Sequence, residues 1–239
     1  MSRMLASVNS LQEALLVQSL NVDIIDLKQP AQGALGALPY ETVAAIVDHL
    51  KPDAQLSATI GDLPMHGETV CRAVTRMAAT GVDYVKIGFF PDGDWLDCIN
   101  GLSAIAGRGH ALIAVLFADC QPDLSVIQTL AQAGFHGVML DTRQKGQGGL
   151  THWLTIDELQ NFVQSAKANG LLCGLAGSLS ISDIPGLLPL NADYLGFRGA
   201  LCRESLRTAQ LDTAAIAEIK GILVNSRQIS DNCRILDIV

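Results

Sequence analysis

Short runs rich in Val, Ile and Leu alternate with amphipathic stretches along the whole chain, and this alternation restricts its folding more than any other feature. Strands that are apolar on both faces need cover on both sides, which a parallel sheet flanked by helices supplies. The runs lie at Met4–Val8, Asp23–Leu27, Gln55–Ile60, Tyr84–Gly88, Ala111–Leu116, Gly137–Asp141, Leu171–Ala176 and Tyr194–Phe197. They recur about every 27 residues, the length of one β/α unit. Between them, Ser10 with Glu13 and Thr155 with Glu158 predict capping boxes for the free amides of a first helical turn. Val70, Ala73, Val74 and Met77, and likewise Leu159, Phe162, Val163 and Ala166, fall at i, i+3, i+4 and i+7 and predict one buried stripe per helix. Eight such units in 239 residues predict a single (β/α)₈ TIM barrel spanning residues 1–239. An open doubly wound sheet is the alternative, but it usually has fewer strands, and no GxGxxG follows the first strand.

Composition narrows the function classes. With 49% hydrophobic and 17% charged residues the chain is too apolar for a disordered segment. Its longest apolar run, Ala111–Ala118, is far shorter than the roughly 18 residues of a membrane span. The apolar patch before Asn9 is too brief for a signal-peptide core, so a cytoplasmic protein is expected. A net charge of −8 argues against nucleic acid or an anionic membrane as partner, since both need a basic face. Six cysteines without a close pair and five histidines without ligand spacing predict neither a redox CxxC nor a metal site. The segment after Ile222 reads either as a packed tail or as a homo-oligomer contact.

The charges on the strands carry the chemistry. In a barrel, side chains alternate between the interior and the helix layer, so each charge can be placed by parity. Asp26 and Lys28 share one face at the carboxyl end of the second strand, the end where barrel active sites are built. In the fourth strand Val85 and Ile87 need the apolar helix layer, which sends Lys86 inward. In the sixth, Val138 and Leu140 do the same and leave Asp141 inward, with Lys145 on the following loop. One Lys and one Asp alone would read as a buried ion pair that fixes register. Two lysines and two aspartates aimed at one mouth read as carbonyl chemistry: a desolvated lysine near a second cation loses proton affinity, and its neutral amine can form a Schiff base.

The loops after the last two strands add a second signal. Gly174-Leu175-Ala176-Gly177-Ser178 and Gly196-Phe197-Arg198-Gly199-Ala200 stand where barrels commonly bind phosphate through backbone amides. Gly177, Ser178 and Gly199 are therefore candidate phosphate contacts, and Arg198 a candidate planar fork. The glycines of Gly33-Ala34-Leu35-Gly36-Ala37 read equally as a lid over Lys28 or as a glycine-rich connection.

Taken together, Asp26-Leu27-Lys28-Gln29-Pro30 with Gly33 to Ala37, Tyr84-Val85-Lys86-Ile87-Gly88, Asp141-Thr142 with Lys145, and Gly196-Phe197-Arg198-Gly199-Ala200 resemble the (5-formylfuran-3-yl)methyl phosphate synthase family. Gln29 and Ala34 depart from that family's pattern, where Asn and Ser are common. The resemblance implies a lyase of methanofuran or methylofuran biosynthesis that condenses two molecules of glyceraldehyde 3-phosphate with loss of one phosphate and two waters. It implies that Lys28 forms the Schiff base, that Lys86 transfers protons, and that Asp26, Asp141 and Lys145 are further active-site residues. The partner is then a small phosphorylated aldehyde, and no nicotinamide, flavin or metal is called for. The competing readings are a Schiff-base sugar-phosphate aldolase or orotidine-decarboxylase-like lyase on the same barrel, and a non-catalytic binding protein.

Overall fold

All eight expected strands are present: β1 (Arg3–Val8), β2 (Ile24–Leu27), β3 (Leu56–Thr59), β4 (Tyr84–Phe89), β5 (Ala111–Phe117), β6 (Gly137–Asp141), β7 (Leu172–Leu175) and β8 (Tyr194–Phe197). Each pairs in parallel with the next in chain order, and β8 pairs with β1, which closes the sheet into a (β/α)₈ TIM barrel. The computed structural model describes residues 2–236, and side chains as far as residue 226. Outside the strands lie α1 (Leu11–Ser19), α2 (Tyr40–Leu50), α3 (Gly67–Ala78), α4 (Trp95–Ala106), α5 (Val126–Gln132), α6 (Leu150–Trp153), α7 (Ile156–Ala168), α8 (Ile184–Leu187) and α9 (Thr213–Leu236). The sequence after Ile222, expected as a packed tail or an oligomer contact, continues α9; side chains beyond 226 and residues 237–239 lie outside the described residues. No helix of the described residues is long and apolar enough to cross a membrane.

The apolar stripes do what their spacing predicts. Val70, Ala73, Val74 and Met77 are buried on α3, and Leu159, Phe162, Val163 and Ala166 on α7. Thr155 and Glu158 form the reciprocal capping box at the start of α7. At α1 the box is one-sided: Ser10 Oγ accepts from the Glu13 amide at 3.2 Å, but the Glu13 carboxylate accepts from Asn9 and has a second task described below.

The lower interior is filled by Leu5, Ile24, Ser57, Tyr84, Ile113, Leu172 and Tyr194. Gly174 makes this filling fit, because a Cβ there would overlap the Tyr194 ring. Above this floor the barrel opens into a cavity at the carboxyl ends of the strands.

Candidate active site

Strand alternation carries Asp26 and Lys86 into the interior as expected, and burial decides how they are held. Asp26 is fully buried, with all its carboxylate oxygens engaged: Ser57 Oγ donates to one at 2.6 Å, while Ser7 Oγ and Lys86 Nζ donate to the other at 2.9 and 3.0 Å. Burial pushes this carboxyl up, but the ammonium groups of Lys86 and Lys28 and the hydrogen bonds from Ser57 and Lys86 outweigh it and hold it below the usual range. Ser7 and Ser57 were not among the expected site residues. Their signal was available in parity, since each is the small hydroxyl residue on the inner face of its strand.

Lys28 follows β2 and is only 5% exposed. Its Nζ lies 3.7 Å from Asp141 at the end of β6. Asp141 also accepts from Lys145 Nζ at 2.6 Å and from the Thr142 amide at 2.7 Å, and Lys145 reaches Thr142 Oγ1 at 3.2 Å. Asp141 is held well below the usual carboxylate range: burial opposes this, and the ammonium groups of Lys145 and Lys28 overcome it. Lys28 moves the other way. Burial pulls it down to about 8, aided by the charges of Lys145 and Lys86 and resisted by those of Asp141 and Asp26. A lysine in that range keeps a useful fraction of neutral amine near neutral pH.

Lys28, Lys86, Asp141 and Lys145 all open into one cavity of about 560 Å³. Its rim includes Gly177, Ser178, Gly199 and Ala200, the loops expected to take phosphate. Gly177 has φ +110°, and a Cβ there would press on the Thr142 amide, so only glycine lets this loop lie against the end of β6. Among the described residues, none accepts from the amides of Gly177, Ser178, Gly199 or Ala200, which leaves these donors free to meet an anion.

Arg198 also lines the cavity, but the expected role as a free phosphate fork does not fit its surroundings. Its Nε donates to the Arg207 carbonyl at 2.7 Å, Nη1 to Ser7 O and Glu13, and Nη2 to Glu13 and the Ala209 carbonyl. All five N–H donors of a guanidinium are thereby used within the protein. Glu13, released by the one-sided cap, holds it in a bidentate pair with distances of 2.5 and 3.2 Å. The loop from Gln29 to Leu38 is a pinned connection: Asp62 accepts from the amides of Ala34 and Leu35 at 2.8 and 2.7 Å, and Gly36 O accepts from Gln29 N and Thr59 Oγ1. Asp119 ties the following β6 loop in the same way through the amides of Arg143 and Gln144, both at 2.7 Å.

A closed barrel with lysine–aspartate pairs at its carboxyl-terminal mouth has the layout of the enzymes built on this fold. The model of the 4-HFC-P synthase family matches residues 4–220. A Methanopyrus kandleri protein named (5-formylfuran-3-yl)methyl phosphate synthase is 34% identical over 216 residues, covering 86% of this chain and 91% of the relative. A Methylorubrum extorquens protein that carries the same name provisionally is 44% identical over 216 residues, covering 90% and 89%. Among solved structures, 3-hexulose-6-phosphate synthase from Salmonella typhimurium superposes with a TM-score of 0.67 at 17% identity, covering 94% of this chain and 99% of that one. Phosphoribosyl anthranilate isomerase from Thermus thermophilus gives 0.66 at 16% identity, covering 93% and 98%. These two share the fold alone. The chain belongs to the 4-HFC-P synthase family and is an enzyme.

Proposed function

We propose that this enzyme condenses two molecules of glyceraldehyde 3-phosphate into (5-formylfuran-3-yl)methyl phosphate through a Schiff base on Lys28, as a step in making methanofuran or methylofuran. The observation that carries this reading is the desolvated Lys28, held near pKa 8, opening with Lys86 into a single cavity rimmed by free backbone amides. The neutral Lys28 amine adds to a triose carbonyl and loses water, leaving an iminium that acidifies the neighbouring carbon. Lys86, paired with Asp26 at 3.0 Å, first gives a proton to the hydroxyl that leaves as water in imine formation, and the neutral amine so formed takes the proton from that carbon. The resulting enamine carbon adds to the second aldehyde and forms the new carbon–carbon bond. As that bond forms, the nitrogen lone pair restores the iminium and the attacked aldehyde oxygen takes up a proton; water then hydrolyses the iminium and frees Lys28. Ring closure and dehydration then remove, in net, two waters and one phosphate from the two trioses. Asp141 keeps Lys145 at the mouth, where its ammonium can meet the charge of the departing phosphate. The amides of Gly177, Ser178, Gly199 and Ala200 would hold a phosphate that stays bound.

The test is incubation of the protein with glyceraldehyde 3-phosphate and borohydride, followed by peptide mass mapping. A reduced adduct on Lys28, with phosphate release and a new near-ultraviolet aromatic aldehyde in the unreduced reaction, is the expected result. An adduct without phosphate release would identify a sugar-phosphate aldolase instead, and no adduct on Lys28 would remove the covalent mechanism.

A further inference from the structure

The proposed reaction brings two phosphate groups into one cavity, each carrying about −1.5 to −2 charge at neutral pH. The amide cradle on the β7 and β8 loops can take one. The second needs a cation with donors to spare, and most of the cations lining the cavity are committed. Lys86 is buried against Asp26, Lys145 is held by Asp141 and Thr142 with one N–H left to meet the departing phosphate, and Arg198 has no donor left. Lys28 supplies the amine.

Arg207 differs from these. It lines the same cavity and is half-buried, and its Nη2 donates to the Gly33 carbonyl at 2.8 Å. No described residue accepts from its Nε or Nη1. The contact ties Arg207, on the β8 loop, to the loop that follows β2. Its surroundings hold it there. Cys202 and Leu211 form an antiparallel bridge at the base of its loop, and Arg203 N donates to Gln210 O at 3.0 Å. Arg198 grips the Arg207 and Ala209 carbonyls from below. Glu204 and Ser205, at φ 54° and 55°, adopt a left-handed conformation that non-glycine residues seldom hold, and so turn the chain over the mouth. The partly buried Glu13–Arg198 pair is thus an anchor for the loop that presents Arg207.

We infer that Arg207 is the recognition residue for the phosphate of the second triose, on the β2 side of the mouth, and that Arg198 is the residue that positions it. This rests on the two-phosphate reading above. Half-burial strengthens the proposed contact, because a guanidinium partly stripped of water gains more from a bound anion.

Calorimetric titration with inorganic phosphate tests the site without any turnover. The wild type is expected to bind two phosphates and Arg207→Ala one, and equal stoichiometry and affinity in the two proteins would overturn the inference. Kinetics supply the second arm. Arg207→Ala is expected to raise KM for glyceraldehyde 3-phosphate about 10- to 100-fold, with Arg207→Lys between it and the wild type. Borohydride trapping of unphosphorylated glyceraldehyde on Lys28 should be unchanged in Arg207→Ala. If trapping of the phosphorylated and unphosphorylated aldehydes falls alike, Arg207 merely braces the Gly33 loop and the inference is wrong. A wild type that makes no furan product but loses a phosphate site in Arg207→Ala would reject the condensation reading while keeping the anion site.

Discussion

At the amino-terminal end of the barrel, Asp23, Asp83 and Asp193 each precede a strand and accept a backbone N–H from the strand before it, on Met4, Leu56 and Cys173 at 2.8, 2.7 and 2.7 Å. At the carboxyl-terminal end, Asp26 and Asp141 face buried ammonium groups instead. The same side chain therefore does two kinds of work on one sheet. Below, a carboxylate satisfies an amide that strand pairing leaves open, which stabilises the fold and leaves no reactive group behind. Above, a carboxylate compensates a charge taken out of water, and the balance of burial against neighbouring charge sets how readily a lysine gives up its proton. Asp62 and Asp119 stand between these cases: they lie near the mouth, yet bind backbone amides and hold the loops that carry the chemistry.

Variants at the two ends should separate these roles. The largest effect is expected for Lys28→Arg, whose guanidinium cannot form an imine, so turnover and the borohydride adduct should both vanish while the melting curve stays cooperative. Measurable turnover in this variant would move the nucleophile elsewhere. Lys86→Ala should lower kcat by about 10²- to 10⁴-fold, the range for losing a proton-transfer group, while the Lys28 adduct can still be trapped.

The pH dependence sharpens the comparison further. Because attack needs the neutral amine, and Lys28 is held near 8 rather than the ordinary 10.5, kcat/KM should rise with pH and level off above about 8. The Asp141 charge raises the Lys28 pKa, so Asp141→Asn should move this acidic limb to lower pH, by about one unit or more. A limb that stays in place would show that Asp141 acts on Lys145 and not on Lys28. The smallest effect on activity belongs to the other end: Asp83→Ala leaves the amide of buried Leu56 without its acceptor and should cost about 1–3 kcal/mol of stability in denaturant unfolding, with kcat unchanged.

Much of this arrangement was legible before folding. The strands fell within one residue of their expected ends, because an apolar run covered on both faces has few other places to go. Lys86 was placed inward by its neighbours Val85 and Ile87, and it lies inward. The engagement of Arg198 was not legible because its partners are remote in the chain: Glu13 lies 185 positions away, and a glycine-flanked arginine carries no mark of whether its donors are already taken. That Arg207 lines the cavity was not legible because it sits in the polar stretch Arg203-Glu204-Ser205-Leu206-Arg207, which has no motif and reads as an ordinary loop. The choice between a lid and a connection at Gly33 to Ala37 turned on Asp62, which no local pattern ties to that loop.

Hydrophobic periodicity alone determined the barrel and the direction in which each strand charge points, since both follow from a two-residue alternation that any short stretch carries within itself. Only the tertiary structure decided which cations stay available and how far Lys28 is stripped of water. Those properties depend on donors, acceptors and apolar walls that converge from separate parts of the chain, and burial changes the energy of a charge only once the wall is complete.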